Sequence, residues 1–337
     1  MATHDPHPDS PERASAARAA LGLALVLALV VEVVFALTLE EHRGRHELDA
    51  RVATIAVTRT APRAVLLSDS ISYGVLSPVP DGVLDLSSNQ SVSTAGNAFL
   101  LARLADALER SRDDEMPRVE RVVYVLSPMS FEADLRSERF LELYFTSVFN
   151  RRTERRAVAE RLDRPELVTE LEERALERWL HPPSYLRRGH LLRPLAEGLR
   201  EADRRLRGGG ELPGTAPEAT VERIARDAAL VELPVSEVTT QFLPLLAEAA
   251  ARLGAEVELR LAPVPPSLRE AWSTDGALAK LESELVALCA PLEHLSYGGP
   301  IPYEPPGDFA FYDGSHLHPV ARRDYGEALA HELGRRD

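Results

Sequence analysis

The chain has 337 residues, of which 45% are hydrophobic and 27% charged, a balance that excludes a wholly disordered polymer. Its 53 acidic and 39 basic residues leave a net charge of −14, which excludes a broad nucleic-acid-binding face, since such a face is basic. The one cysteine, Cys289, permits no intrachain disulfide and reads as core, in a helical pattern with Leu285, Val286 and Leu288.

Residues 1–18 are polar and rich in Pro and Asp, and read as a disordered tail. From Ala19 to Leu39 the chain is almost wholly apolar, interrupted by Glu32, and about 20 such residues span a bilayer. Arg13 and Arg18 precede the run and no small-x-small cleavage site follows it. The segment reads as an uncleaved signal-anchor that places the rest of the chain outside the cytoplasm; a cleaved signal peptide and a soluble amphipathic helix are the alternatives. Residues 40–60 form a charged juxtamembrane linker, and 61–337 a single folded domain.

Within that domain the apolar run Ala64–Leu67 predicts a buried strand, Val83–Leu86 a second, and Arg121–Leu126 a third, continuous and apolar as strands covered on both faces are. A stripe of Phe99, Leu100, Leu104 and Leu108 predicts a helix from Thr94 to about Arg110. Residues 132–232 are Arg- and Glu-rich with helical spacing, an insertion that reads either as a cap over the site or as a set of solvated surface helices. Alternation resumes with a helix over Val235–Leu253 stopped by Gly254, a strand over Val257–Ala262 closed by Pro263–Pro266, a helix over Asp275–Cys289, a short strand over Leu292–Leu295 and a last helix over Val320–Leu333. Strands alternating with helices predict an α/β fold, a parallel sheet with helices on both faces.

Two short segments carry the chemistry. Ser68-Asp69-Ser70 follows the first strand, and Asp313-Gly314-Ser315-His316-Leu317 precedes the last helix. Together they supply a nucleophile (Ser70), a base (His316) and an orienting carboxylate (Asp313), the set that acyl transfer through serine requires, because a serine hydroxyl cannot attack unaided. Gly96-Asn97 opens the helix after the second strand, where backbone N–H groups suit a developing oxyanion. A rival reading makes Asp313, His316 and His318 metal ligands, which requires His318 to converge on the other two. Tyr73, near Ser70, reads as a packing residue.

Ser68-Asp69-Ser70 resembles the Gly-Asp-Ser block of the SGNH (GDSL) hydrolase superfamily, with Ser68 in place of the glycine. Asp313-Gly314-Ser315-His316-Leu317-His318-Pro319 resembles its last block, Asp-Gly-x-His-Leu-x-Pro, and Gly96 falls where the second block supplies an oxyanion glycine. The third block departs: where Gly-x-Asn-Asp is usual the chain reads Ser127-Pro128-Met129-Ser130, so Met129 replaces the oxyanion asparagine, and Asn97, Asn89, Ser127 and Ser130 are the candidate replacements. The Ser-Pro and the N-terminal anchor also resemble, more loosely, the membrane-anchored SGNH-like proteins of envelope acylation, of the teichoic-acid D-alanyl transfer and alginate acetylation types.

The resemblance implies a three-layer, flavodoxin-like fold and a cofactor-free Ser70–His316–Asp313 triad with the Ser70 and Gly96 amides at the oxyanion. It implies a membrane-anchored serine esterase or O-acyltransferase acting on acyl esters of an envelope polysaccharide or glycolipid, with a multi-spanning partner as acyl supplier in the transferase case. The alternative is a non-catalytic carbohydrate-binding or assembly subunit on the same fold.

Overall fold

The computed structural model describes residues 61–87, 93–110, 118–132, 152–170, 214–230, 232–312 and 314–335, with single positions at 22, 23, 26, 27, 30, 51, 52, 54, 55 and 173. At its centre is a parallel sheet of β1 (Ala64–Ser68), β2 (Val83–Asp85), β3 (Arg121–Leu126), β4 (Glu256–Leu261) and β5 (Leu295–Pro300), in the order β2-β1-β3-β4-β5. Every residue of β1 and β3 is buried, which is why these two strands read as unbroken apolar runs. The chain leaves β1 to one side for β2 and to the other for β3. In such doubly wound sheets the crevice beyond the carboxyl ends of the two strands at this switch point is where ligands bind.

Helices cover both faces. The helices are α1 (Thr94–Arg110), α2 (Arg152–Arg161), α3 (Glu218–Ala228), α4 (Glu237–Leu253), α5 (Pro266–Thr274), α6 (Ala277–Cys289) and α7 (Pro319–Gly334). Val65 and Leu67 of β1, Tyr124 of β3 and Leu259 of β4 pack with Leu100 and Leu104 of α1, Leu246 of α4 and Leu285 of α6 in the larger core. Leu66, Val123 and Val125, pointing the other way, pack under Tyr325 and Leu329 of α7. Each of these side chains contributes about 1.5–3 kcal/mol by leaving water. Gly254 ends α4 at φ 68, in the left-handed conformation that glycine adopts freely. Cys289 is buried in the larger core, and burial pushes its thiol up to about 11.

The core extends outside the boundaries read from charge pattern. Val52 and Ile55, within the 40–60 segment, pack into the larger core. Of the insertion, α2 docks on the outside of α1 and α4 through Val158, Ala159, Phe99 and Phe242, and Glu154 there makes two bonds to the buried Arg103, at 2.6 and 2.8 Å. The α3 helix reaches the loop before α7, as described below. The remainder of 132–232, the 1–18 tail and most of 19–39 lie outside the described residues. Within 19–39, Gly22, Leu23, Val26, Leu27 and Val30 are helical and exposed, and among the described residues no helix is long and apolar enough to cross a membrane.

Two elements differ from the sequence reading. The fifth strand runs over Leu295–Pro300, because His294, at φ 62, turns the chain just before it; Gly298, Gly299 and Pro300 hide it from a β-pattern search. The Pro263–Pro266 run stops β4 as expected, but Pro266 also starts α5: the proline lacks only an N–H that a first helical turn leaves unused.

Candidate functional site

Ser68, Asp69 and Ser70 leave β1 at the switch point. Ser68 is fully buried and donates to the Val125 carbonyl of β3 at 2.7 Å, closing the β1–β3 pair at its end. Asp69 is 2% exposed; its Oδ1 accepts from the Ile71 amide at 2.9 Å, folding residues 69–71 into a tight turn, and its Oδ2 accepts from the Ser130 hydroxyl at 2.6 Å. Burial pushes the Asp69 carboxyl up, against the Ser130 and Ile71 bonds and the nearby His316, which favour its charge. Ser70, next in the turn, is half-buried.

His316 comes from the opposite end of the chain. Phe311 and Leu317 pair as an antiparallel bridge, and the Tyr312 amide donates to the His316 carbonyl at 3.1 Å, so residues 312–316 form a closed loop. Gly314 stands in it at φ +85, and a Cβ there would come within 3.3 Å of Arg223 of α3; both facts select glycine. The Thr220 hydroxyl of α3 holds the Tyr312 carbonyl at 2.8 Å, and the Tyr312 ring stacks on the imidazole with centroids 6.0 Å apart and planes 18° apart. Beyond the loop, Pro319 starts α7.

These two loops bring His316 Nε2 to 2.8 Å from Ser70 Oγ, across 246 positions of sequence. In the tautomer that lets Nε2 accept the Ser70 proton, Nδ1 carries hydrogen and lies 3.4 Å from Ser315 Oγ. Asp313, the expected orienting carboxylate, lies outside the described residues. The same is true of one member of the Asp313–His316–His318 metal reading; among the described residues no cluster of three or more His, Cys, Asp or Glu side chains could hold a metal ion.

The expected oxyanion donors are committed to the start of α1. That helix begins at Thr94, two residues before Gly96, and its first turn is capped by Ser93: the Gly96 amide donates to Ser93 Oγ at 3.2 Å, and the fully buried Asn97 donates from Nδ2 to the Ser93 carbonyl at 3.3 Å. After β3 the chain makes a 3-10 turn over Pro128–Glu132. Met129, half-buried, packs against the larger core, Ser127 Oγ accepts from the Met129 amide at 3.3 Å, and Ser130 donates to Asp69. Asn89 lies outside the described residues. Tyr73, read as a packing residue, is 41% exposed, with its carbonyl held by Arg322 of α7.

Sequence reasoning missed the Ser130–Asp69 bond and the part of α3. The first joins residues 61 positions apart and the second 92, through side chains that turn and helix patterns use anywhere, and no local signal marks them. Among known proteins the chain has no match, whether to a protein-family model, a curated protein or a solved structure.

Proposed function

We propose that the protein is an SGNH-type serine hydrolase or acyltransferase. The observation that carries this reading is the 2.8 Å approach of His316 Nε2 to Ser70 Oγ beyond the carboxyl end of β1. Ser70 attacks the carbonyl carbon of an acyl ester while His316 takes the hydroxyl proton. As the tetrahedral intermediate collapses, the ester C–O bond breaks and His316 returns the proton to the leaving alcohol. The acyl-serine then passes its acyl group to water, as an esterase, or to a sugar hydroxyl, as a transferase. Asp313 is the carboxylate assigned to orient His316, and the Ser70 amide one oxyanion donor.

By its resemblance to envelope acylation proteins, the acyl esters belong to an envelope polysaccharide or glycolipid. The apolar 19–39 segment supports a single-pass anchor with the α/β domain outside the cytoplasm, and a multi-spanning protein as acyl supplier if the acceptor is a sugar.

A second reading, a non-catalytic carbohydrate-binding or assembly subunit, is favoured by one observation. The turn after β3, which in the superfamily gives an asparagine to the oxyanion, here packs Met129 against the core and engages Ser127 and Ser130 elsewhere. Losing such a donor costs about 10²–10³ in rate where it has been removed from an active serine hydrolase.

Intact-mass measurement of the full-length protein after treatment with a fluorophosphonate separates the two. A single adduct, absent in Ser70→Ala, is expected of an activated serine. No adduct on folded protein means the binding-subunit reading holds instead.

A further inference from the structure

Ser130 is a hydroxyl beside the crevice to which the reaction just outlined gives no part. Its single hydrogen is given to Asp69 Oδ2 at 2.6 Å, in the range of a charge-assisted bond, so it is not available to an oxyanion while that bond stands. The bond crosses the switch point, from the turn after β3 to the turn after β1. The Asp69 carboxylate is thereby bracketed, Ser130 on one oxygen and the Ile71 amide on the other, and Ser70 is the residue enclosed between Asp69 and Ile71.

The groups that interact with Asp69 come from several elements: Tyr124 from β3, Tyr325 from α7, Ser130 from the turn after β3, and His316 from the loop before α7. Burial pushes both tyrosine hydroxyls up, and Asp69 pushes them further, so both stay neutral. A buried carboxylate beside His316 favours the cation that forms when the imidazole takes the Ser70 proton.

Resting on the acyl-transfer reading, we propose that Ser130 and Asp69 are a positioning pair for the Ser70–His316 couple. Ser130 anchors the Asp69 carboxylate across the crevice; the anchored carboxylate fixes the turn that carries Ser70 and stabilises the charge His316 acquires. In this chain the turn after β3 thus serves the reaction through the nucleophile's turn, where its superfamily counterpart serves through the oxyanion.

The test is the rate of fluorophosphonate inactivation of the full-length protein as a function of pH, for wild type, Ser130→Ala, Ser130→Thr and Asp69→Asn. Ser130→Ala is expected to slow inactivation about tenfold, as the loss of a hydrogen bond to a charged group does, and Ser130→Thr to regain most of the rate. Asp69→Asn removes the carboxylate beside His316, so the acid limb of the profile is expected to move to lower pH. Ser130→Ala moves the limb the same way by less, because Asp69 without its donor is protonated more readily, and this variant carries the test should Asp69→Asn fail to fold. A slower rate with an unmoved limb reveals a purely structural bond and overturns the proposal, as does Ser130→Ala inactivating at the wild-type rate. Wild type that takes no fluorophosphonate overturns the acyl-transfer reading and this proposal with it, whereas labelled wild type with an indifferent Ser130→Ala sinks this proposal alone.

Discussion

β4 has two faces built on opposite principles. Val257, Leu259 and Leu261 point into the larger core, an apolar contact with α1, α4 and α6. Glu258 and Arg260, between them, point toward α7 and meet charge. Arg260 bonds Glu258 at 2.8 Å and Glu332 of α7 at 3.1 Å; Arg121 of β3 pairs with Glu258 and donates to the Glu332 carbonyl at 2.9 Å. Arg260 also holds the Pro300 carbonyl of β5 at 3.0 Å, and Arg335 reaches Glu332 at 3.2 Å. One face adheres by excluding water from hydrocarbon and has no preference for pH or partner. The other requires particular charges in register, and it is the face on which α7, the helix that follows His316, is seated.

Cutting each face at neighbouring positions of β4 tests this difference. Leu259→Ala leaves a cavity and is expected to cost about 2–5 kcal/mol. Arg260→Ala takes one cation from each of Glu258 and Glu332, leaving them Arg121 and Arg335, and is expected to cost about 1.5–3 kcal/mol, the worth of hydrogen bonds to charged groups. Urea denaturation measures both, and a loss much below 1 kcal/mol in Arg260→Ala means the ion cluster is solvated.

Acid sharpens the comparison. Burial pushes the Glu258 carboxyl up, but Arg121 and Arg260 outweigh it and hold the group below the usual carboxylate range. In acid the unfolded chain therefore takes up more protons at this site. The stabilisation is complete above the unfolded value of about 4.3 and is lost as pH falls through the lower folded value. The urea midpoint of wild type is expected to drop over that window, and that of Glu258→Gln to drop less; equal slopes place the acid sensitivity elsewhere. The smallest effect belongs to Thr220→Val, which removes the bond to the Tyr312 carbonyl. It is expected to cost about 1 kcal/mol and to slow fluorophosphonate labelling of Ser70. Unchanged labelling means the 312–316 loop holds its shape without α3.

Much of the sheet was legible. The unbroken apolar runs of β1 and β3 announce strands covered on both sides, and the alternation Val257-Glu258-Leu259-Arg260-Leu261 announces β4. That alternation ordinarily marks a strand with one wet face, yet both faces of β4 are covered, since Glu332, 72 positions beyond Arg260, lies over the charged side. Residue type and period carry no information on such a distant partner. The bounds of β5 and the whole of α5 escaped because glycine and proline punctuate a sequence whether they end an element or begin one. In the candidate site, the meeting of Ser70 and His316 was legible because few residue types can serve as nucleophile and base, and each stood at the edge of a predicted element. The service of Ser130 to Asp69 was not, because a hydroxyl donates equally well to a carboxylate, a carbonyl or water, and only the fold selects among them.

The 246 positions between Ser70 and His316 also impose an order in time. A ribosome delivers the serine early, just after β1, and the helices α1 to α6 all follow before the histidine emerges. Until the loop that carries His316 closes between α3 and α7, Ser70 has no imidazole beside it, so the couple can form only once the end of the chain has come to rest.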